Sequence, residues 1–200
     1  MSDYATPTSA VGGDFEEPPQ VMARNLRVAS QLWASATAFF FFAFVFAYFY
    51  LRSLNSQNLW HPHGVSAPTG SGTAIMLLVV VSAAAGYMAA RKLAAGDAAS
   101  FRIGGLVALA LGLAAIVVQI VQWSSLGFGP TDGGYASVFV GWTGLYALFL
   151  FGTLYWLETL VATSFRSPKN TDSAAAAAFA FYWVVLALVG VATWVVLYLL

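Results

Sequence analysis

Five long apolar runs alternate with short polar or glycine-rich connections along this chain of 200 residues. The runs cover residues 28–52, 73–93, 103–128, 137–163 and 174–200. A helix needs about 20 apolar residues to cross the ~30 Å hydrocarbon layer of a bilayer. The runs are long and continuous, whereas the strands of a membrane barrel are short and alternate apolar with polar residues. The pattern therefore predicts an all-α, polytopic membrane protein, built as one bundle of five transmembrane helices.

Composition points to the same environment. Hydrophobic residues make up 60% of the chain and charged residues only 8%, with a mean hydropathy of +0.77. Soluble domains carry about 25% charged residues, so this chain could not cover a surface that faces water. The formal net charge is zero, which gives no basic footprint for nucleic acid. The absence of cysteine excludes disulfides and thiolate metal sites.

The first 23 residues are acidic and rich in proline and small residues, without the apolar core of a signal peptide. We expect a polar, mobile cytoplasmic tail over residues 1–23 and a transmembrane domain over residues 24–200. Seven of the eight basic residues fall on one side of the predicted membrane, and only Arg52 falls on the other. The seven are Arg24, Arg27, Arg91, Lys92, Arg102, Arg166 and Lys169. The positive-inside rule then predicts that the N-terminus lies inside and the C-terminus outside.

The predicted membrane interior is almost free of ionisable groups, which by default mark functional sites there. Glu158 is the sole acid within a run, and it lies close to a predicted inner end, which favours an interfacial position. Gln31, Gln119 and Gln122 are neutral. We expect them to form hydrogen bonds between helices, each contributing about 1 kcal/mol or less.

The two histidines, His61 and His63, flank Pro62 in the first outer connection. Two ligands are too few for a closed structural metal site, so a loop anchored at the interface by Trp60 is the favoured interpretation. No apolar run contains a histidine, which argues against haem ligation within the bilayer. Phosphate-binding loops and serine-nucleophile motifs are also missing. We therefore expect no catalytic residue, metal or cofactor on this chain.

Small residues recur along the second and third runs, with small-xxx-small spacing at Gly86/Ala90 and Ala108/Gly112. This spacing lets helix backbones approach closely in a membrane. The fourth run offers further small positions at Gly141, Gly144 and Gly152. Helix packing is therefore the main property that the interior residues predict.

The first run is different, because nine of the twelve positions from residue 39 to residue 50 are aromatic. Aromatic side chains present large, stiff areas, which suit a surface against lipid tails or against another subunit. We assign Phe39, Phe42, Phe46 and Phe49 to a subunit interface. Aromatic residues also collect at membrane interfaces without any further role, and that interpretation stays open.

Several stretches together resemble subunit III of the haem-copper oxidases, in its short five-helix bacterial form. The aromatic run ends FVFAYFYLRS, similar to the family's Tyr-x-x-Arg ending, and NLWHPHG follows as a Trp-x-Pro loop. The stretch QIVQWSSLGFGPTDGGYASVF resembles the Q-x-x-E-W helix end, glycine loop and next helix start, and FYWVV resembles the start of the last helix. The resemblance extends from about residue 28 to residue 200.

The departures from that family concern its ionisable positions. Thr37 stands where the family has a glutamate in the first of these helices, and Gln122 replaces the glutamate of Q-x-x-E-W. Histidine positions of the family are occupied by Tyr146 and Phe149 in the fourth helix and by Val184 in the last. A role that needs a titrating group at these places is therefore not expected.

The resemblance implies an auxiliary subunit of a respiratory terminal oxidase in the bacterial inner membrane, taking part in proton-pumping oxygen reduction. Haem and copper would lie in partner subunits, with this chain packed against the catalytic subunit I and near subunit II. It would also bind phospholipid, for which we assign Arg52 near the outer face and Trp60, Trp123 and Trp183 along headgroups or tails. The electron donor, cytochrome c or quinol, binds other chains, and both remain open.

Two other functions share much of this sequence pattern. A small transporter or channel component would have the same number of helices, although intramembrane charges and an internal repeat are missing. An assembly factor of a respiratory complex would share every feature noted above. Ion or substrate flux in liposomes would indicate the first, and absence from the mature complex would indicate the second.

Overall fold

Five long α-helices form the protein in the computed structural model, which describes residues 18–55, 60, 66–167 and 171–200. They are α1 (Pro19–Ser53), α2 (Thr69–Ala94), α3 (Ala98–Ser124), α4 (Gly134–Arg166) and α5 (Ser173–Trp194). A π-helical turn, Val195–Leu199, continues α5. All five helices are long and apolar enough to cross a membrane, and the described residues contain no strand. The prediction of an all-α bundle with five membrane-spanning helices is confirmed.

Helix ends differ from the limits of the apolar runs. α1 begins at Pro19, where a proline at the first helical position is favourable because its missing N–H would have no partner there. Residues 19–23 of the predicted tail are therefore helical, and the tail before Pro18 lies outside the described residues. α3 ends at Ser124 rather than at residue 128, since Gly127, Gly129 and Pro130 follow.

The helices close a ring in which α1 contacts α5, α5 contacts α2, α2 contacts α3, and α3 and α1 both contact α4. α4 and α5 also touch each other across the ring. These two helices supply most of the large side chains with almost no exposed surface, including Trp142, Phe139, Leu150, Phe179 and Trp183. The core of the bundle therefore lies along α4 and α5.

Small residues set the distance between α2, α3 and their neighbours. A Cβ added at Gly104 of α3 would lie 2.8 Å from the Cβ of Ala89 in α2, and Gly112 of α3 packs directly against Leu154 of α4. Gly86 of α2 faces the ring of Trp183 in α5. The predicted packing through small residues is confirmed for the second and third helices.

The glycines of α4 do not follow this prediction. A Cβ at Gly141, Gly144 or Gly152 would meet no atom within 4 Å. The large side chains of α4, such as Trp142 and Leu150, occupy its inward positions, so these glycines lie away from the close helix contacts. The prediction that they mediate packing is wrong within this chain.

Aspartates cap two helices outside the apolar core. The Asp97 carboxylate accepts the Ser100 N–H at the start of α3, at 2.9 Å, and the Asp172 carboxylate accepts the Ala174 N–H at the start of α5, at 2.7 Å. Hydrogen bonds with Ser100 lower the pKa of the Asp97 carboxyl. Gly96 precedes the first cap with φ of 86°, a conformation that glycine adopts without strain. These contacts fix the turn between α2 and α3 and the start of α5.

Candidate functional site

α1 has two chemically similar but structurally opposite faces. Phe39, Phe42, Phe46 and Phe49, which we call the aromatic outer face, are 75%, 66%, 67% and 46% exposed. Their spacing of three and four residues places them on one side of a helix. The structure therefore brings all four predicted interface residues together on the outside of the bundle.

The opposite face of α1 attaches the helix to α4 and α5. The Phe41 ring meets Tyr146 edge-on at 5.8 Å and Phe149 at 5.3 Å, and Phe44 lies 5.7 Å from Trp142. Offset and edge-to-face aromatic pairs contribute about 0.5–1.5 kcal/mol each beyond the burial of their area. The inward aromatic residues thus hold α1 in place, and the aromatic outer face remains free for another surface.

The outward side of α3 is of a different kind. Its exposed large residues are entirely aliphatic: Ile103, Leu106, Val107, Leu113, Val117, Ile120 and Val121. Scattered aliphatic side chains are what a lipid-facing helix normally shows. The outward side of α1 therefore differs in kind from that of α3, although α4 also exposes Phe151 and Tyr155.

Two of the four predicted lipid residues lie close to Tyr48 at one end of α1. The exposed Arg52 guanidinium sits 5.9 Å from the centre of the Tyr48 ring and donates to the carbonyl of Leu200 at 2.8 Å. The Trp60 ring is buried and meets Tyr48 edge-on at 5.1 Å. Its carbonyl accepts the Tyr135 N–H at 3.1 Å, which ties the connection between α1 and α2 to α4.

The other two predicted lipid residues lie elsewhere. Trp123 is partly buried near the end of α3, and its indole N–H donates to the Thr143 hydroxyl of α4 at 3.0 Å. Trp183 has no exposed surface, and its indole N–H donates to the Ser82 hydroxyl of α2 at 3.3 Å. Trp183 is enclosed by protein, which leaves it no surface for a lipid contact.

Thr37, which stands where the family has a glutamate, is hydrogen-bonded. The hydroxyl of Thr37 in α1 lies 3.2 Å from the hydroxyl of Tyr182 in α5, and both side chains are buried. The contact joins α1 to α5 inside the membrane-spanning region. A short uncharged pair therefore occupies the place where the family resemblance suggested a glutamate.

Gln122 is the centre of a larger polar cluster. Its amide donates to the Ser71 hydroxyl of α2 at 2.7 Å, and its carbonyl oxygen accepts from the Gln119 amide at 2.8 Å and from the Tyr198 hydroxyl at 3.0 Å. The expected hydrogen bonding between helices is confirmed for Gln122. Gln119 bonds within its own helix, and Gln31 is exposed.

The other residues that differ from the family pattern are also neutral. Tyr146 is buried and donates to the Leu186 carbonyl of α5 at 3.0 Å. Phe149 takes part in the ring contacts with α1, and Val184 is half-buried. Glu158 is exposed, and its interfacial position stays a prediction.

Several contacts could not be read from the sequence. Ser82 both accepts from Trp183 and donates to the Ala108 carbonyl at 2.6 Å, so one hydroxyl joins α2, α3 and α5. Arg102 donates to the Ser164 carbonyl at 2.5 Å near the end of α4. Single serines in apolar helices carry no spacing signal that would have identified their partners.

The structure also contains a cleft of about 400 Å³ where α1 separates from α4 over Tyr182. Trp33, Phe149, Gly152 and Trp156 line it, and the lining is mainly apolar. The open space at Gly152 contributes to this cleft. The chemistry of its walls suits a hydrocarbon chain.

Within the described residues, no three histidine, cysteine, aspartate or glutamate side chains cluster in a way that could hold a metal ion. His61 and His63 lie outside those residues, so the sequence interpretation of this pair stays a prediction.

Together these observations define a multi-pass membrane protein with a neutral, hydrogen-bonded interior and a distinctive aromatic surface. The family model for cytochrome c oxidase subunit III matches residues 11–200, and the chain therefore belongs to this family. The resemblance noted in the sequence is confirmed. No curated protein matches the chain.

Proposed function

We propose that this chain is a non-redox auxiliary subunit of a respiratory haem-copper terminal oxidase in a bacterial plasma membrane. It packs against the catalytic subunit I and lies near subunit II, and those partners hold the haem and copper. Its contribution to proton-pumping oxygen reduction is structural: it supplies surface and lipid contacts to the catalytic subunit. Membership of the subunit III family supports this function over the transporter alternative.

The observation that carries the proposal is the aromatic outer face. Phe39, Phe42 and Phe46 are each at least 66% exposed, although α1 has an equally aromatic face that is already packed. Aromatic residues are enriched in protein interfaces because they bury large areas at low cost in conformational entropy. The aromatic outer face is therefore the surface best suited to receive subunit I.

Lipid binding has three supports. The cleft beside Trp33 and Trp156 has an apolar lining and a volume of about 400 Å³, which accommodates part of an acyl chain. At the other end of α1, Arg52 is exposed near the buried Trp60, where its guanidinium can meet a phosphate. Trp123, half-buried at the end of α3, supplies a further interfacial contact.

The docking proposal is tested by a double substitution, Phe42→Ala with Phe46→Ala. We expect the variant chain to be lost from the oxidase during detergent extraction, because two large contact surfaces are removed. The measurement is the molar ratio of this chain to haem in the purified complex. The matched control is Val117→Ala with Val121→Ala on α3, whose side chains are each 59% exposed.

The control should remain associated at the wild-type ratio. An unchanged ratio for the phenylalanine variant, in a chain that still folds, would show that subunit I binds another face. Flux of ions or substrates through the purified chain in liposomes would contradict the proposed function as a whole.

A further inference from the structure

A small cavity lies between the helices, in the half of the bundle where α2 begins and α5 ends. Residues of α2, α3, α4, α5 and the π-helical turn form its walls, and its volume is about 20 Å³. A cavity of about 10–15 Å³ is already enough for one water molecule. The size of this cavity therefore fits a single water and excludes a much larger ligand.

Two glycines determine how closely the walls approach each other. The Tyr146 ring of α4 lies over Gly190 of α5, where an added Cβ would lie 2.8 Å from the Tyr146 Cζ. The Tyr198 ring of the π-helical turn lies over Gly72 of α2, where an added Cβ would lie 2.6 Å from the Tyr198 Cδ1. A larger residue at either glycine would displace its tyrosine, so the glycines allow both rings to reach the cavity.

Gln119 of α3 is the lining residue that needs a further partner. Its side-chain amide donates to Gln122 at 2.8 Å, but its side-chain carbonyl accepts no hydrogen bond from the described residues. Buried polar groups nearly always have a partner, and the interior of a membrane offers no bulk water. Gln119 lines the cavity and is only 3% exposed. A molecule bound in the cavity can therefore supply the missing donor.

The facing walls offer oxygen atoms that can accept hydrogen bonds. The Tyr146 hydroxyl donates to the Leu186 carbonyl at 3.0 Å, and the Thr193 hydroxyl donates to the Val189 carbonyl at 2.8 Å. Each hydroxyl has used its only proton, whereas its oxygen can still accept a hydrogen bond. Together with the Gln119 carbonyl, these hydroxyls give the cavity three acceptors for a donor molecule.

Water is the small molecule that matches these walls. It brings two O–H donors, and a buried water typically makes about three hydrogen bonds. A metal cation such as Ca²⁺ would need about six oxygen ligands, usually with carboxylates among them. The residues that line the cavity include no carboxylate. The walls therefore select a neutral hydrogen-bond donor.

We propose that this cavity binds one water molecule, which donates to the Gln119 carbonyl and to the hydroxyl oxygen of Tyr146 or Thr193. Because Gln119 is bonded to Gln122, the water extends the polar cluster of α2 and α3 to α4 and α5. Four helices then share one neutral hydrogen-bonded network inside the membrane-spanning region. The site belongs to the bundle itself and depends neither on docking to subunit I nor on bound lipid.

The test exposes the full chain in nanodiscs to a short X-ray pulse, which converts water into hydroxyl radicals that oxidise adjacent side chains. Met76 of α2 lines the cavity, and methionine is readily oxidised to its sulfoxide. Mass spectrometry of peptides measures the rate of Met76 oxidation. We expect Met76 to be oxidised in the wild type, although it lies in a membrane-spanning helix.

Two substitutions remove polar partners of the water. Thr193→Val keeps the shape of the side chain but removes an acceptor, so the rate of Met76 oxidation should fall about fivefold, in line with the loss of one hydrogen bond. Gln119→Leu removes the carbonyl that has no other partner, and it should lower the rate at least as much. The shape-conserving valine keeps the test valid if the leucine variant fails to fold.

Thr153→Val is the matched control. Thr153 is 4% exposed and Thr193 is 5% exposed, and each hydroxyl donates to the carbonyl four residues earlier in its helix. Thr153, however, lines the cleft beside Trp33 and not this cavity. We expect Thr153→Val to leave the rate of Met76 oxidation unchanged.

Met22 reports on radicals from the bulk solvent, because it is 48% exposed near the start of α1. A radical scavenger dissolved in the solvent should suppress oxidation of Met22 and spare that of Met76. Equal suppression at both residues would show that Met76 is oxidised from outside, and would overturn the proposal. Absence of Met76 oxidation in the wild type, or equal rates in the wild type and Thr193→Val, would overturn it as well. An equal fall in Thr153→Val would assign the effect to the bundle as a whole and have the same consequence.

Discussion

Single side chains in this bundle act mainly through hydrogen bonds that no sequence pattern revealed. Ser82 is the clearest case, because it accepts from Trp183 and donates to the Ala108 carbonyl, and all of these groups are buried. In a membrane interior, a polar group without a partner cannot turn to water for a replacement. Ser82 therefore stabilises the contact of three helices with one oxygen atom.

Substitution of Ser82 by alanine should lower the free energy of unfolding by about 1–2 kcal/mol, because the enclosed Trp183 N–H loses its acceptor. The measurement is the unfolding midpoint of the purified chain in detergent titrated with dodecyl sulfate. Ser124→Ala is the matched control, since the exposed Ser124 hydroxyl donates only to a carbonyl of its own helix. Equal midpoints for the two variants would contradict the prediction.

The tryptophans show that the sequence alone does not predict whether a single side chain lies at the membrane interface or inside the bundle. Trp60 and Trp123 lie near helix ends, as interfacial tryptophans do, but Trp183 is fully enclosed. Trp60 lies in a polar connection and Trp123 at the end of an apolar run, whereas Trp183 lies within one. Only the rotation of α5 about its axis decides which neighbours Trp183 meets, and that rotation depends on packing with α2. The four outward phenylalanines could be assigned together because they share one helical spacing.

At the scale of the helices, the sequence predicts that five helices exist, but it does not predict how each helix is rotated about its axis. Five continuous apolar runs are sufficient to predict five membrane helices, because the bilayer allows no other use of such runs. The same runs cannot locate helix ends such as Pro19 and Ser124, since those depend on turns and caps beyond the membrane. Nor do they show whether a glycine faces a neighbouring helix, as Gly104 does and Gly141 does not.

This pair of glycines gives a matched test. Alanine is favoured over glycine in a helix by ~1 kcal/mol, so Gly141→Ala, in open space, should leave stability equal or slightly higher. Gly104→Ala should lower it by about 1–3 kcal/mol, because the new methyl group would lie 2.8 Å from the Ala89 Cβ, which has no alternative rotamer. The unfolding midpoint in dodecyl sulfate measures both effects.

A second substitution tests the cause. Ala89→Gly in the Gly104→Ala background exchanges the two residues across the α2–α3 contact and removes the close approach of the methyl groups. Much of the lost stability should return, apart from the cost of a new glycine in α2. If the midpoint did not recover, the effect of Gly104→Ala would have to arise within α3 itself.

At the scale of the whole molecule, the surface is more informative than the interior. The interior replaces the ionisable positions suggested by the family resemblance with neutral pairs such as Thr37 with Tyr182. The surface, in contrast, differs from side to side: phenylalanine on α1, aliphatic residues on α3, and basic residues at one end. A subunit that holds its place through surface contacts needs this asymmetry, because each side meets a different neighbour.

The basic end also predicts how the bundle lies in the membrane. Ala95 is exposed between α2 and α3 at that end, and Thr131 is exposed between α3 and α4 at the other. Because the chain contains no cysteine, Ala95→Cys and Thr131→Cys each give a single labelling site. A maleimide that does not cross membranes should label Ala95→Cys only in inside-out vesicles and Thr131→Cys only in right-side-out vesicles, since the positive-inside rule places the N-terminus inside. The cysteine-free chain is the control for background labelling. The reverse pattern would contradict the orientation.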